Sequence, residues 1–316
     1  MRILTRSETA AFLAGTDRFA ILTHRRPDGD TLGSSALLCR GLRRAGKTAH
    51  ILENPEITDK YAALHTGLTK AAPEAGDTLI CVDVASPGML PSVFAPYQDG
   101  IALRIDHHSL ATSFTQNELV EGETAACGEI VYGVLREMGV SLDVPMAEAL
   151  YTAVSTDTGC FRYANTTADT FAVAAECAKV SPNLFAINQA LFDTNSLGRL
   201  RLQGWLVEHA LFLKDGAAAV CALPLSVEQK LQLTEDDLEN ISGFPRSIEG
   251  VKIAATLREN PDGLIKISVR AVPGYDAAEI CAKFGGGGHK GAAGASLKLP
   301  MDDAVQAVRT AIEEAL

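Results

Sequence analysis

The chain has no Cys-x-x-Cys pair, a single tryptophan and no apolar run long enough to cross a bilayer. Its seven cysteines (Cys39, Cys81, Cys127, Cys160, Cys177, Cys221 and Cys281) are odd in number and scattered, most of them within apolar runs. That excludes a disulfide framework or a zinc ribbon and points to buried free thiols in a reducing cytosol. The N-terminus, MRILTRSETAAFLAGTDRF, has charges scattered through it and no clean apolar block before a cleavage site. No signal peptide is expected, and the expected location is the cytoplasm, away from membranes. Positive charge is also short: 28 Lys and Arg against 39 Asp and Glu leave a net charge of −11. A protein that coats long duplex carries a basic face, because counterion release drives that binding. The balance excludes a long-duplex binder but not a short phosphate-bearing substrate in a local basic pocket. No GK[ST] ending follows the one glycine-rich loop, which argues against an ATPase.

With 316 residues there is room for two cores. Residues 1–20 read as a helix leading into a first strand. The run ILTHRRPDGDTLGSS (21–35) begins as a buried strand and runs into a helix over 31–45, stopped by Gly46. Strands follow at 48–52, 78–85 and 101–106, with helical segments at 60–65 and 87–97. Further helices are expected at 125–138 and 145–155, and another to Lys179 capped by Thr166 or Thr167. This alternation predicts an α/β fold: a mainly parallel sheet with helices on both faces. The stretch 183–212 reads as a helical linker between a domain over 1–182 and a smaller α+β domain over 213–316. In the latter, Asp215-Gly216 and Asn260-Pro261-Asp262-Gly263 mark two hairpins.

The charged residues gather where ligands gather in such sheets, at the carboxyl ends of the strands. His24, Asp28 and Asp30 follow the first strand, Asp83 ends a second, and Asp106-His107-His108 closes a third. Asp157 sits where a helix ends, before Gly159. Taken singly, each has a plainer reading as a cap, a turn residue or a surface charge. Together, His24, Asp28, Asp30, Asp83, His107 and Asp157 offer four carboxylates and two imidazoles, with no thiolate. That donor set suits manganese, magnesium or iron(II) better than structural zinc. Six side chains exceed the needs of one catalytic ion and fit two, about 3.5–4 Å apart, bridged by one carboxylate. A second pattern, GGGGHKGAAG (285–294), has glycines at Gly286, Gly287 and Gly288 that let backbone amides approach an anion, followed by His289 and Lys290. A flexible turn is the alternative; phosphate binding explains the embedded His-Lys pair better.

HRRPDGD, the Asp of CVDVA, the DHH of RIDHHS and the Asp of STDTGCF together resemble the four motifs of the DHH phosphoesterase superfamily. GGGGHKGAAG resembles the signature of its DHHA1 domain. The architecture is most similar to the stand-alone bacterial nanoRNase and adenosine 3',5'-bisphosphate (pAp) phosphatase group. The resemblance implies two manganese ions, with magnesium or iron(II) as substitutes: one on His24, Asp28 and Asp83, the other on Asp30, Asp83, His107 and Asp157. It implies that Asp106 orients its neighbours, that His108 faces the scissile phosphate, and that Arg270 binds substrate phosphate beside His289. Arg25 and Arg26 fill positions the family leaves variable. Arg104 has two open readings, near the cleft or as a solvated strand-end charge.

The expected substrates are short RNA oligonucleotides or a nucleotide bisphosphate, attacked by dimetal-activated water. Cyclic di-AMP or linear dinucleotide cleavage, a RecJ-like exonuclease and an idle nucleotide-binding protein are the rivals. Cleavage polarity and the oligomeric state, a homodimer included, are left open.

Overall fold

A computed structural model describes residues 1–109 and 112–316. The chain divides into two compact units, Met1–Thr194 and Asn195–Leu316. The division falls inside the stretch expected as a linker.

The first unit is built on seven strands: β1 (Arg2–Ile3), β2 (Arg18–Leu22), β3 (Thr48–Leu52), β4 (Thr69–Lys70), β5 (Thr78–Val82), β6 (Ile101–Asp106) and β7 (Asn117–Val120). They lie in the order β1-β7-β6-β5-β2-β3-β4, and each neighbouring pair is parallel. The α-helices are α1 (Arg6–Ala14), α2 (Gly29–Arg44), α3 (Cys127–Glu137), α4 (Val144–Asp157), α5 (Ala168–Val180) and α6 (Leu184–Asn188). Central strand β2 alternates between two cores, as period-two geometry requires. Phe19 and Ile21 join the large core with α2, α3 and α4, while Ala20 and Leu22 join a smaller one with Phe94 and Leu90. The smaller core lies against 3₁₀ segments, Pro87–Met89 and Ser92–Gly100. The helix expected over 87–97 is therefore replaced by 3₁₀ turns. Pro91 and Pro96 lack the amide hydrogens an α-helix there would use.

The expected helix over 1–20 is also corrected. It is interrupted as strand, helix and strand, with Thr5 and Glu8 forming a capping box at the start of α1. Strands β1, β4 and β7 were not foreseen; at two to four residues they carry no periodic signal.

The sheet changes direction between β2 and β5: connections from β2 run to β3 and β4, and those from β5 to β6 and β7. A crevice opens at the carboxyl end of such a switch point. Small residues let three helices converge on it. A Cβ on Gly33 in α2 would meet the Ala149 carbonyl of α4, and one on Gly128 in α3 would lie 2.7 Å from the Ala153 Cβ.

The second unit holds β8 (Leu211–Leu213), β9 (Ala218–Leu223), β10 (Ile253–Glu259), β11 (Ile265–Ala271), β12 (Gly287–His289) and β13 (Ala292–Leu297). The order is β12-β13-β11-β10-β9-β8, with β9 and β10 parallel and the other pairs antiparallel. Helices α7 (Leu197–Glu208), α8 (Leu225–Leu231), α9 (Glu235–Leu238), α10 (Ala277–Ala282) and α11 (Met301–Glu313) complete it. Ile265, Ile267, Val269 and Ala271 of β11 point into the core with α10 and α11. The intervening Arg270 therefore faces the other side of the sheet. Among the described residues, no helix is long and apolar enough to cross a membrane.

Candidate metal centre

All six residues expected as ligands lie together at the carboxyl ends of β2, β5 and β6, in three overlapping groups. His24, Asp28 and Asp83 form one. Asp30, His107 and Asp157 form another. Asp83, His107 and His108 form the third. Asp83 stands between the first two. Its Oδ2 is 3.5 Å from His24 Nε2, and its Oδ1 is 3.5 Å from His107 Nε2. His107 Nε2 is also 3.6 Å from Asp157 and 3.8 Å from Asp30.

The local structure over-determines these positions. Asp83 leaves β5 in the left-handed region, φ 59°, which Asp tolerates better than most residues. Its amide donates to the Ile105 carbonyl at 2.9 Å, holding the turn against β6. Asp28 caps α2 and accepts from the amides of Asp30 and Thr31. The plain capping reading and the ligand position thus apply to the same side chain. Gly29 between them is required, because a Cβ there would collide with Thr156 beside Asp157. Asp30 is 1% exposed and lies against the start of α3. It accepts from the amides of Cys127 at 2.6 Å and Gly128 at 3.0 Å, and from Ser34 Oγ at 2.8 Å. The α3 N-cap residue, Ala126, makes no side-chain cap, and Asp30 fills that role from another helix.

The tautomers follow from the partners. His24 Nδ1 lies 2.9 Å from the Arg25 carbonyl and His107 Nδ1 lies 3.1 Å from the Thr124 carbonyl. A carbonyl only accepts, so each Nδ1 carries hydrogen, and the neutral ring presents a bare Nε2 to carboxylates. Lone pairs facing anions are repulsive unless a cation lies among them. Donors held about 2.0–2.2 Å from one ion lie about 3–4 Å apart, the spacing seen here. The buried Asp83 Oδ1 has no hydrogen-bond partner among the described residues, as suits an oxygen that serves a cation. Protonating both imidazoles would still leave two of the four carboxylates unbalanced. The donor set, the spacing and the orphaned oxygen fit divalent ions.

Electrostatic shifts report the same tension. Burial and the charges of Asp83 and Asp157 push the Asp30 carboxyl well above its usual range. Burial also pushes Asp157 up to about 7, with His107 opposing and Asp83 adding to the rise. Burial opposes the charge on His107, yet Asp83 and Asp30 hold its imidazole at about 10. His24 is raised in the same way by Asp28 and Asp83. Burial works against the Asp83 carboxylate, but His107 and His24 outweigh it and lower its pKa.

Asp106 lies beneath the cluster. Its Oδ1 accepts from the His107 and His108 amides and, at 2.7 Å, from His108 Nδ1. That contact, the largest influence on His108, raises the imidazole pKa and leaves Nε2 directed away from Asp106. Arg104 is not a solvated strand-end charge. It is 1% exposed, donates to Glu118 at 2.7 Å and to the Ala85 and Thr112 carbonyls, and lies 3.6 Å from Asp106. It ties together the segments around β6. Asn54, not foreseen, donates to Thr23 Oγ1 and to the His24 carbonyl, fixing the chain where β2 ends. Nothing local in the sequence marks Asn54, since its partners are thirty residues away.

In the second unit the glycine-rich stretch is a hairpin. His289 pairs with Ala292, and Ala292 with Arg270, so the two cationic positions share one sheet face with a small residue between them. Arg270 donates to Ser242 Oγ at 3.0 Å and to the Val269 carbonyl at 3.1 Å. Gly288 has φ 147°, and a Cβ on Gly286 would strike the Gly294 carbonyl. Gly287 has an ordinary φ, and a Cβ there meets nothing within 4 Å. His289 and Lys290 are exposed.

Residues 18–154 match the N-terminal domain of the DHH family, and residues 217–316 match the DHHA1 domain. The chain is 33% identical to the bifunctional oligoribonuclease and PAP phosphatase NrnA of Thermus thermophilus, over 94% of this chain and 89% of that protein. It is 26% identical to the probable bifunctional oligoribonuclease and PAP phosphatase NrnA of Streptococcus mutans, over 89% of each. A solved structure of an exopolyphosphatase-related protein from Bacteroides fragilis superposes with a TM-score of 0.88 at 24% identity, covering 98% of this chain and 96% of that one, which shows the shared fold. Two family domains in their expected order and a full-length relationship at this identity lead to one conclusion: the chain belongs to the DHH family and is a phosphoester hydrolase.

Proposed function

We propose that the chain is a metal-dependent phosphoesterase of the cytoplasm that hydrolyses short oligoribonucleotides and adenosine 3',5'-bisphosphate. The observation that carries the reading is the placement of the Nε2 atoms of His24 and His107, each 3.5 Å from one of the two oxygens of a single buried carboxylate, Asp83. The printed activities of the two NrnA relatives support the substrate class. In this reading His24, Asp28 and Asp83 hold one divalent ion, and Asp30, Asp83, His107 and Asp157 hold the other. Manganese is the preferred occupant, with magnesium or iron(II) as substitutes. Bound there, the pair would supply an activated water and charge stabilisation at phosphorus.

The protein's own groups divide the remaining tasks. The carbonyls of Arg25 and Thr124 keep the two histidines in the ligating tautomer. Asp106 holds Nδ1 of His108, so that Nε2 presents a hydrogen bond or proton to a phosphate or leaving oxygen. His108, at 39% side-chain exposure, is open to substrate while Asp83, at 4%, is not. In the second unit, Arg270, His289 and Lys290, with the loop of Gly286, Gly287 and Gly288, would bind phosphate. The free thiols fit a reducing compartment.

The test is hydrolysis of pAp, of a dinucleotide, and of five- and twenty-residue RNAs by protein stripped with EDTA and reloaded with manganese. The expected result is metal-dependent release of nucleoside monophosphates, fastest from the short substrates. Activity without metal, or faster turnover of the twenty-mer, overturns the reading.

A further inference from the structure

The loop after Asp157 is strained, and an aromatic ring packs on it at Gly159, two residues beyond the carboxylate-bearing position. Gly159, Cys160 and Phe161 have φ values of 56°, 57° and 62°. Left-handed backbone is unfavourable for residues bearing a Cβ and persists where surroundings over-determine it, commonly at functional sites. Here the surroundings are explicit. The Cys160 amide donates to Ser155 at 2.6 Å, and the Phe161 amide to Thr158 Oγ1 at 3.1 Å. The amides of Arg162 and Tyr163 share the Thr158 carbonyl at 2.9 and 3.0 Å. Asn165 then reaches back and donates to the Asp157 carbonyl at 3.2 Å, closing the loop on the residue that carries the carboxylate.

The two aromatic residues of this loop have different fates. Phe161 packs against the large core and beside Tyr151, with ring centroids 5.8 Å apart. It anchors the loop. Tyr163 belongs to no apolar cluster, is 53% exposed, and its hydroxyl has no hydrogen bond among the described residues. Its ring lies against Gly159: a Cβ built on that glycine would collide with the ring. Glycine at 159 thus makes room for a ring that the core does not use. The cluster itself is open along part of its edge. The side chains of His24, Asp30 and Asp83 are 7%, 1% and 4% exposed, whereas those of Asp28, His108 and Asp157 are 49%, 39% and 30% exposed. Asp157, six residues before Tyr163, is thus among the exposed members of the cluster.

We infer that Tyr163 is a stacking platform for a nucleobase of the substrate, the base adjoining the phosphate at the centre. This rests on the nucleotide-hydrolase reading above and adds how the base is held. A ring face without a hydrogen-bonding pattern accepts any base, so it confers a preference for nucleotides over other phosphoesters without sequence selectivity.

The experiment compares wild type with Tyr163→Ala, Tyr163→Phe and Tyr163→Trp on pApA and on an abasic analogue of the same dinucleotide. Base stacking on an aromatic side chain converts to a factor of about 5 to 150 in affinity. Tyr163→Ala is expected to raise KM for pApA within that range, with kcat within about threefold, and to leave the abasic analogue unchanged. Phe and Trp are expected to retain wild-type KM. Equal losses on the abasic analogue, or a Phe variant as impaired as the Ala variant, would overturn the inference. Binding of a 2-aminopurine dinucleotide with magnesium, read by fluorescence quenching, separates the two readings. Quenching that depends on Tyr163 without any turnover sinks the proposed activity and keeps the platform. Turnover with quenching identical in wild type and Tyr163→Ala sinks the platform and keeps the activity.

Discussion

The two candidate binding regions are built in opposite ways. In the first unit the central charged groups, His24, Asp30 and Asp83, are buried, and the donor atoms are held by fixed partners. Asp30 accepts three hydrogen bonds, and both histidines are locked through Nδ1. In the second unit the groups are exposed on a hairpin of glycines, and His289 and Lys290 stand at its turn. The difference follows from the ligands each would take. A small cation must be stripped of water and needs donors already in place, because they repel one another without it. A phosphate on a nucleotide must arrive and leave, so its partners need access and close backbone approach more than rigidity.

The sharpest way to break this comparison is Asp83→Ala. A carboxylate shared between two sites should take both with it, so turnover should fall by well over about a hundredfold, beyond the loss typical for an outer partner. Elemental analysis should find less than one ion per chain, whereas Asp28→Ala should retain about one. Near-normal metal and activity in the Asp83 variant would remove the bridging assignment.

The next effect is the dependence of metal binding on pH. Without metal, His107 keeps its proton up to about 10 and Asp157 up to about 7. An incoming ion must displace those protons, so apparent affinity should rise from pH 6 to 9, by about tenfold per unit for each proton released. Calorimetry in buffers of different ionisation enthalpy would count the protons. A flat profile would mean that the cluster does not bind through these groups.

Smaller losses belong to the second unit. His289→Ala and Arg270→Ala should keep their metals and raise KM about ten- to a hundredfold, the value of ~1.5–3 kcal/mol for a charge-assisted hydrogen bond. Metal loss in either variant would show that the division of labour is wrong. Smallest in its structural effect is Gly287→Ala, whose Cβ meets open space. It should melt within about a degree or two of wild type, while Gly286→Ala, aimed at the Gly294 carbonyl, should be clearly destabilised. A fall in pAp affinity for Gly287→Ala at unchanged stability would sharpen the view that its missing side chain serves a ligand.

Much of this was legible in the order of residues. Apolar runs of five or six with β-branched residues mark β2, β5 and β6, and a polar group at the end of each lands at the carboxyl edge of a parallel sheet by topology alone. Turn chemistry marked two hairpins of the second unit, β8–β9 and β10–β11. What escaped was short or compensated at a distance. Strands β1 and β4, two residues each, exist only because a longer neighbour pairs with them. Arg104 had two open readings from sequence, because Glu118 and the carbonyls that neutralise it lie elsewhere in the chain.

By itself, then, the sequence determined the longer strands and helices, the side chains that end β2, β5 and β6, and the presence of both hard-metal donors and a glycine-rich loop. Tertiary structure alone decided that Asp30 caps a helix ninety-seven residues away, that Asp83 stands between two imidazoles, and that Tyr163 lies over Gly159. The physical reason is range. Periodicity, capping and turn preference act within a few residues. Burial of charge and the choice of tautomer depend on groups that meet only once the sheet has closed its crevice.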